Sequence, residues 1–339
     1  VCLSIMKSVL FALKDSTLSY TYDHNQKRNA EDFKETYYSS YFQVAAKTLL
    51  ENSPKLIDPS LNLLEQCFTF YANQTNSDKE LNYRFNAPMD VIHYYQSGNH
   101  QLPDALLTLF ETSTPGSERE RLAVELLIYF ASASENIWGN PRTSPMSFLL
   151  FTSAKLTQLI QSQRCQQSEN TLHLTSRLIY KLGTFKIPAV RFMAENQEVA
   201  VNFFLAVSTL TEFSFNKYLM ESASNYFLKF WGELCFVHSN LTSMPPDFVR
   251  IFPHVFTNYI ESLKNYDESQ ESTVDGMQTY IESMKYLWCI ALADSPTCVQ
   301  CITTALESST AFLLSNQIDQ NTCLVLYNIK FLILIITSL

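Results

Sequence analysis

The chain has 339 residues, a formal net charge of −9 and a hydrophobic fraction of 46%. That much apolar material packs a core and excludes wholesale disorder. The acidic balance excludes a nucleic-acid binder that works by broad phosphate neutralisation. Only 6 residues are Gly, against 24 Phe and 18 Tyr, which argues against folds built on many tight positive-φ turns. Neither GxGxxG nor GxxxxGK[ST] occurs, so no phosphate-cradling loop is expected.

From the N-terminus, Val1–Leu13 reads as a helix in progress, with no basic region or cleavage site of a signal peptide. Asp58-Pro59 predicts an N-cap followed by Pro at the first helical position, and Ser117 with Glu120 predicts a capping box. Leu172, Thr175, Leu178, Ile179 and Leu182 lie at helical spacing, as do Val199, Phe203, Phe204, Val207 and Leu210. Phe215, Tyr218, Leu219, Tyr226, Phe227, Phe230, Trp231, Leu234 and Cys235 read as one face of a single long helix. Phe248 to Leu263 and Met277 to Leu292 each carry a further stripe. Turn signals separate these stretches at Asn52-Ser-Pro54, Ser97–His100, Ser113–Ser117, Gly139–Pro141, Gly183, Ser243–Asp247 and Asp294–Pro296. No sustained period-two alternation occurs, so no sheet is expected.

Helices of about 12 to 22 residues with short connections give helix pairs at roughly the 40–47-residue HEAT/armadillo period. The predicted fold is all-α: an α–α superhelix, a HEAT/armadillo-like solenoid of antiparallel helix pairs, with residues 1–339 as a single segment. Such a pair buries its apolar face only by stacking on its neighbours. Leu324–Ile336 falls short of the ~20 residues that cross a bilayer and is interrupted by Asn328 and Lys330. It is expected to be a buried core helix, and no membrane insertion is expected. Both ends read as cut, so the chain is expected to be an internal piece of a longer protein.

Candidate chemistry is sparse. Cys2, Cys67, Cys165, Cys235, Cys289, Cys298, Cys301 and Cys323 lie in apolar helical stretches, as small buried thiols do in a reducing compartment. Cys298-Val-Gln-Cys301 has metal or disulfide spacing, but no second CxxC or nearby His completes a site. His24, His93, His100, His173, His238 and His254 show no paired ligand spacing. No cofactor, metal or catalytic residue is expected. The adjacent pairs Tyr37-Tyr38 and Tyr94-Tyr95 cannot turn all their rings inward, which leaves outward members to line grooves for peptides. One acidic loop stands out: Asp267, Glu268 and Glu271, with Asp275 close behind. A solvated loop is the plain reading. The functional one is an electrostatic contact for a basic partner.

The segment Asn170–Cys235 resembles the nuclear exportins of the importin-β (karyopherin) superfamily. It is most similar to the exportin-seven group, which includes Ran-binding proteins sixteen and seventeen. The run Asn225-Tyr-Phe-Leu-Lys-Phe-Trp-Gly-Glu-Leu234 places Trp231 where that group has its Trp. Ala105–Trp138 resembles an upstream helix pair, and order and spacing hold from about Asn25 to Leu314. There are departures: Ser134-Glu135 stands for a basic pair and Gly232-Glu233 for Gln-Arg, both expected on the surface. The resemblance implies a flexible HEAT superhelix that shuttles between nucleus and cytoplasm through the nuclear pore. It also implies binding of the small GTPase Ran in its GTP form, protein cargo and Phe-Gly nucleoporin repeats, with no direct nucleic-acid contact. The alternative is a HEAT-repeat scaffold or regulatory subunit outside transport.

Overall fold

The computed structural model describes residues 2–18, 32, 36–71, 101–132, 144–183, 192, 196–218, 222–237, 246–264 and 275–314. Among the described residues there are helices and no strands. The fold is all-α, of the helical-repeat superhelix class. The chain divides into two compact units, residues 1–152 and 153–339.

In the first unit, α1 (Cys2–Leu18), α2 (Tyr38–Leu50), α3 (Ile57–Tyr71), α4 (Gln101–Thr112) and α5 (Glu118–Ala131) form two layers. Helices α1, α3 and α5 pack side by side, with α2 against α3 and α4 against α5. The core is aromatic. Phe68 stacks on Tyr129 at 5.5 Å and meets Phe42 and Phe130 edge-on at 5.7 and 5.0 Å, the offset and T-shaped geometries that ring quadrupoles favour. Tyr38 is fully buried and donates to the Cys67 carbonyl at 2.9 Å, while its neighbour Tyr37 is exposed. One ring of this adjacent pair faces inward and the other outward, as the helical geometry requires. Tyr94 and Tyr95 lie outside the described residues.

Caps are as informative as stripes. Ser117 has extended backbone (ψ 156°) and accepts from the Glu120 amide at 3.3 Å, while Glu120 Oε2 accepts from the Gly116 amide at 2.6 Å. This is the predicted capping box, shifted by one residue on its return bond. Asp58 behaves differently from the prediction. The Ile57 amide already bonds the Ser53 carbonyl and the Ser60 amide the Leu56 carbonyl, so α3 starts before Asp58. Pro59 still sits in the first turn, where no amide is needed.

Helix α6 (Ser144–Gln161) carries the boundary between the units. In the second unit, α7 (Glu169–Gly183), α9 (Ser222–Val237) and α11 (Asp275–Ala291) pack side by side in one layer. Helices α8 (Gln197–Tyr218) and α10 (Ile251–Lys264) form the other, and α12 (Ser295–Leu314) packs on α10. The expected single helix through Phe215–Cys235 is two helices, α8 and α9. Ser214 and Ser224 share a hydrogen bond of 2.7 Å. In one straight helix they would stand about 15 Å apart, so the chain folds back between them. Every stripe residue from Phe248 to Leu263 is buried, whereas Trp288 and Leu292 are exposed although they continue the α11 stripe.

Neighbours within a layer run parallel. His173 contacts Tyr226 and Tyr180 contacts Glu233, both 53 positions on. Phe204 meets Phe248 and Phe215 meets Tyr259, both 44 positions on. The 40–47-residue expectation fits the α8/α10 layer. The α7/α9 step is longer, as is the α3/α5 step, in which Asp58 meets Arg119 61 positions on. The spacing between repeats therefore differs from layer to layer.

At Asp294–Pro296 the expected turn is a single 3-10 turn, Leu292–Asp294, so no loop separates α11 from α12. Asp294 caps α12, its carboxylate accepting from the Thr297 amide at 3.3 Å and hydroxyl at 2.7 Å. By length and composition, Ser283–Ala311 across this join is apolar enough to cross a membrane, with 28% of its most apolar window buried. Across Ser283–Ala311 the buried apolar residues are Met284, Leu287, Ile290, Ala291, Cys298, Ile302 and Ala305, a core-facing set at helical spacing.

Candidate functional site

Of the acidic residues singled out in the sequence, Asp267, Glu268 and Glu271 lie outside the described residues. Asp275 is the first residue of α11. In sequence, residues 265–274 stand between α10 and α11.

The most developed polar arrangement among the described residues is a seam along α7, α9 and α11. His173 Nδ1 and the Ser222 hydroxyl share a hydrogen bond of 2.8 Å at its start. Further along, Tyr180 Oη donates to Glu233 Oε1 at 3.1 Å, and Tyr226 lies 5.9 Å from Tyr180, ring to ring. Lys181 is almost wholly buried beside them. Its pKa is lowered to about 8, chiefly by burial, with repulsion from Arg177 adding to the shift and Glu233 opposing it. Burial pushes the Tyr180 hydroxyl well above the ordinary tyrosine range, and the Glu233 charge adds to this. The seam holds opposite charges in register between repeats. It does not align a nucleophile, a base and an orienting group on one open pocket, the arrangement acyl-transfer chemistry needs.

The seam also corrects an expectation about the surface. Gly232 is buried, and a Cβ built there would lie 2.7 Å from Tyr286 Cβ and 2.9 Å from its Cα. Glu233 is half-buried and engaged by Tyr180. The Gly232-Glu233 departure from the exportin pattern therefore lies in a helix–helix contact. Ser134 and Glu135 lie outside the described residues.

In the first unit, charges tie α3 to α5. Arg119 grips Asp58 with two bonds of 2.7 and 2.9 Å, and Arg121 reaches both Glu118 and Glu65. The Arg119 guanidinium holds Asp58 below the usual carboxylate range, and Arg121 does the same for Glu118. These pairs are largely exposed, where ion pairs set register more than stability.

No group of three or more His, Cys, Asp or Glu side chains among the described residues is arranged to hold a metal ion. Cys298 is buried and Cys301 half-buried in the first turns of α12, as small packing residues would be. His254 sits 3.9 Å from Glu212, on the exposed side of the α8/α10 contact. A shallow, open depression of about 350 Å³ at the start of α8 is lined by Gln197, Glu198, Val201 and Asn202.

No family model matches the chain, and no curated protein or solved structure shows significant similarity to it. The functional reading therefore stands on the fold, the seam and the residue pattern.

Proposed function

We propose that this chain is a helical-repeat scaffold that binds protein partners and works without chemistry of its own. The observation that carries this is the parallel register of successive helices, seen in Tyr180–Glu233 and again in Phe215–Tyr259. A stack built this way offers extended helix faces and interhelical grooves. Small shifts between repeats add up to a change of curvature.

The sharper form of the proposal is a nuclear exportin segment that couples Ran-GTP to protein cargo and to Phe-Gly nucleoporins as it shuttles between nucleus and cytoplasm. The sequence pattern around Trp231 supports it, as does the acidic loop Asp267, Glu268, Glu271 and Asp275, whose charge suits a basic GTPase or cargo surface. A regulatory or assembly scaffold outside transport shares the fold and lacks Ran affinity.

A pull-down with Ran loaded with a GTP analogue or with GDP separates the two. Partner capture that rises with the GTP analogue supports the exportin reading. Capture indifferent to the nucleotide, or absent Ran binding, leaves the general scaffold. Replacing Asp267, Glu268 and Glu271 by Ser should slow association with a captured partner at low salt and leave stability unchanged. An unchanged association rate returns the loop to a solvated connection.

A further inference from the structure

Helices α9 and α11 approach more closely than side chains normally permit. The gap at Gly232 is too small for a Cβ, because the Tyr286 backbone stands there. Close approach with parallel direction fixes what comes next along the seam. Three positions further on each helix are Cys235 and Cys289, with the same offset as Gly232 and Tyr286. Parallel helices in close contact bring residues of equal offset together over successive turns, as in the core pairs of a parallel coiled coil. Cys235 is buried and Cys289 half-buried, and neither is in a disulfide. Burial raises the Cys235 thiol, and the neighbouring Cys289 and Cys298 sulfurs raise it further, which makes Cys298 a third member of the cluster.

The geometry points to Cys235 and Cys289 as an oxidisable dithiol that closes into a disulfide between α9 and α11 when the protein meets hydrogen peroxide. The half-exposed Cys289 meets the oxidant first. Its thiolate attacks one peroxide oxygen, the O–O bond breaks, and after proton transfer the products are a sulfenic acid and water. The Cys235 sulfur then attacks the Cys289 sulfur, its proton leaves with the hydroxyl as a second water, and the S–S bond forms. Overall, two thiols and one peroxide give one disulfide and two waters. Because burial holds both thiols above the ordinary cysteine range, the thiolate fraction at neutral pH is small. The reaction is slow there and accelerates as pH rises. The link joins repeats that the native fold already holds in contact, so it acts as a clasp on one interhelical joint.

The test uses the whole chain, freed of reductant, treated with hydrogen peroxide and then blocked with N-ethylmaleimide. Non-reducing digestion with trypsin and a protease cutting before Asp separates Cys289 from Cys298 at Asp294. Mass spectrometry should find the Cys235 peptide joined to the Cys289 peptide, two hydrogens lighter than their sum and released by dithiothreitol. Oxidation should also raise the unfolding temperature, reversibly. The Cys301→Ser variant should keep the link, and the Cys289→Ser variant should lose it. Cys289 carried on to sulfinic or sulfonic acid while Cys235 stays alkylatable after denaturation overturns the proposal. So does a link from Cys298 to Cys235 or to Cys301 in its place. The peptide map of the unmutated chain decides this even where a variant folds poorly.

Discussion

Tyr180 and Glu233, 53 positions apart, meet at 3.1 Å between α7 and α9. The bond is charge-assisted and only part-buried, so its removal should cost about 1.5–3 kcal/mol. Tyr180→Phe keeps the ring against Tyr226 and removes only the donor. Urea unfolding followed by circular dichroism should show a lower midpoint with an unchanged slope. An unchanged midpoint would mean that water replaces the hydroxyl at no cost.

Lys181, beside this bond, gives a pH prediction with a definite sign. Its folded pKa is lowered to about 8 from an ordinary 10.5, chiefly by burial. Below pH 8 both folded and unfolded chains hold the proton, and the full cost of burying the charge is present. Between pH 8 and 10.5 the unfolded chain binds more protons than the folded one, so this contribution to stability rises with pH. Lys181→Met should therefore stabilise the protein at pH 7, by up to about 3 kcal/mol. That advantage should shrink between pH 8 and 10.5. Other groups titrate in the same window, so the measurement is the difference between variant and parent at each pH. An advantage constant from pH 7 to 10.5 would show that Lys181 is not the group responsible.

The helices were legible in the sequence because burial and helical period are one signal. Leu172, Leu178, Ile179 and Leu182 are all buried, as their spacing requires. The break between α8 and α9 was not legible. The apolar stripe stays in phase across it, and no Gly or Pro interrupts Glu221-Ser-Ala-Ser-Asn225. Fold-back contacts reveal it, Ser214 with Ser224 and Thr211 with Trp231. The Tyr180–Glu233 seam was hidden for a different reason. Its register depends on the summed lengths of intervening helices and loops, which no local pattern encodes. Trp288 reads as core by spacing but is exposed, because period alone does not say which side of a stripe has a neighbour.

Gly232 and Gly183 invite a paired comparison. A Cβ at Gly232 meets the Tyr286 Cα at 2.9 Å, whereas one at Gly183 meets only the Phe230 ring, at 2.6 and 2.8 Å. A ring can turn aside, but backbone moves only with its helix. Alanine gains about 1 kcal/mol of helix propensity over glycine at Gly232, inside α9, and less at Gly183, the last residue of α7. At Gly232 this gain is outweighed by separating α9 from α11, at about 1–3 kcal/mol. Gly232→Ala should lower the unfolding midpoint more than Gly183→Ala. The opposite order would show that the Phe230 ring is the more rigid obstacle.

Among the described residues Trp231 is the largest fully buried side chain, and its indole donates to Thr211 Oγ1 at 3.0 Å. Phe204, Phe230 and Phe252 surround it at 6.2, 5.0 and 5.9 Å. The hydroxyl and the rings contribute separately, and two substitutions tell them apart. Thr211→Val keeps the shape and orphans the indole N–H, at about 1–3 kcal/mol. Trp231→Ala empties the centre of the α8/α9/α10 packing, at about 3–5 kcal/mol. Trp231→Phe serves as the second single substitution of a cycle, and in the double variant Thr211→Val with Trp231→Phe no indole is left to orphan. The double loss should therefore be smaller than the sum of the Thr211→Val and Trp231→Phe losses. Strict additivity in denaturant unfolding would mean that the indole bond contributes nothing to the core.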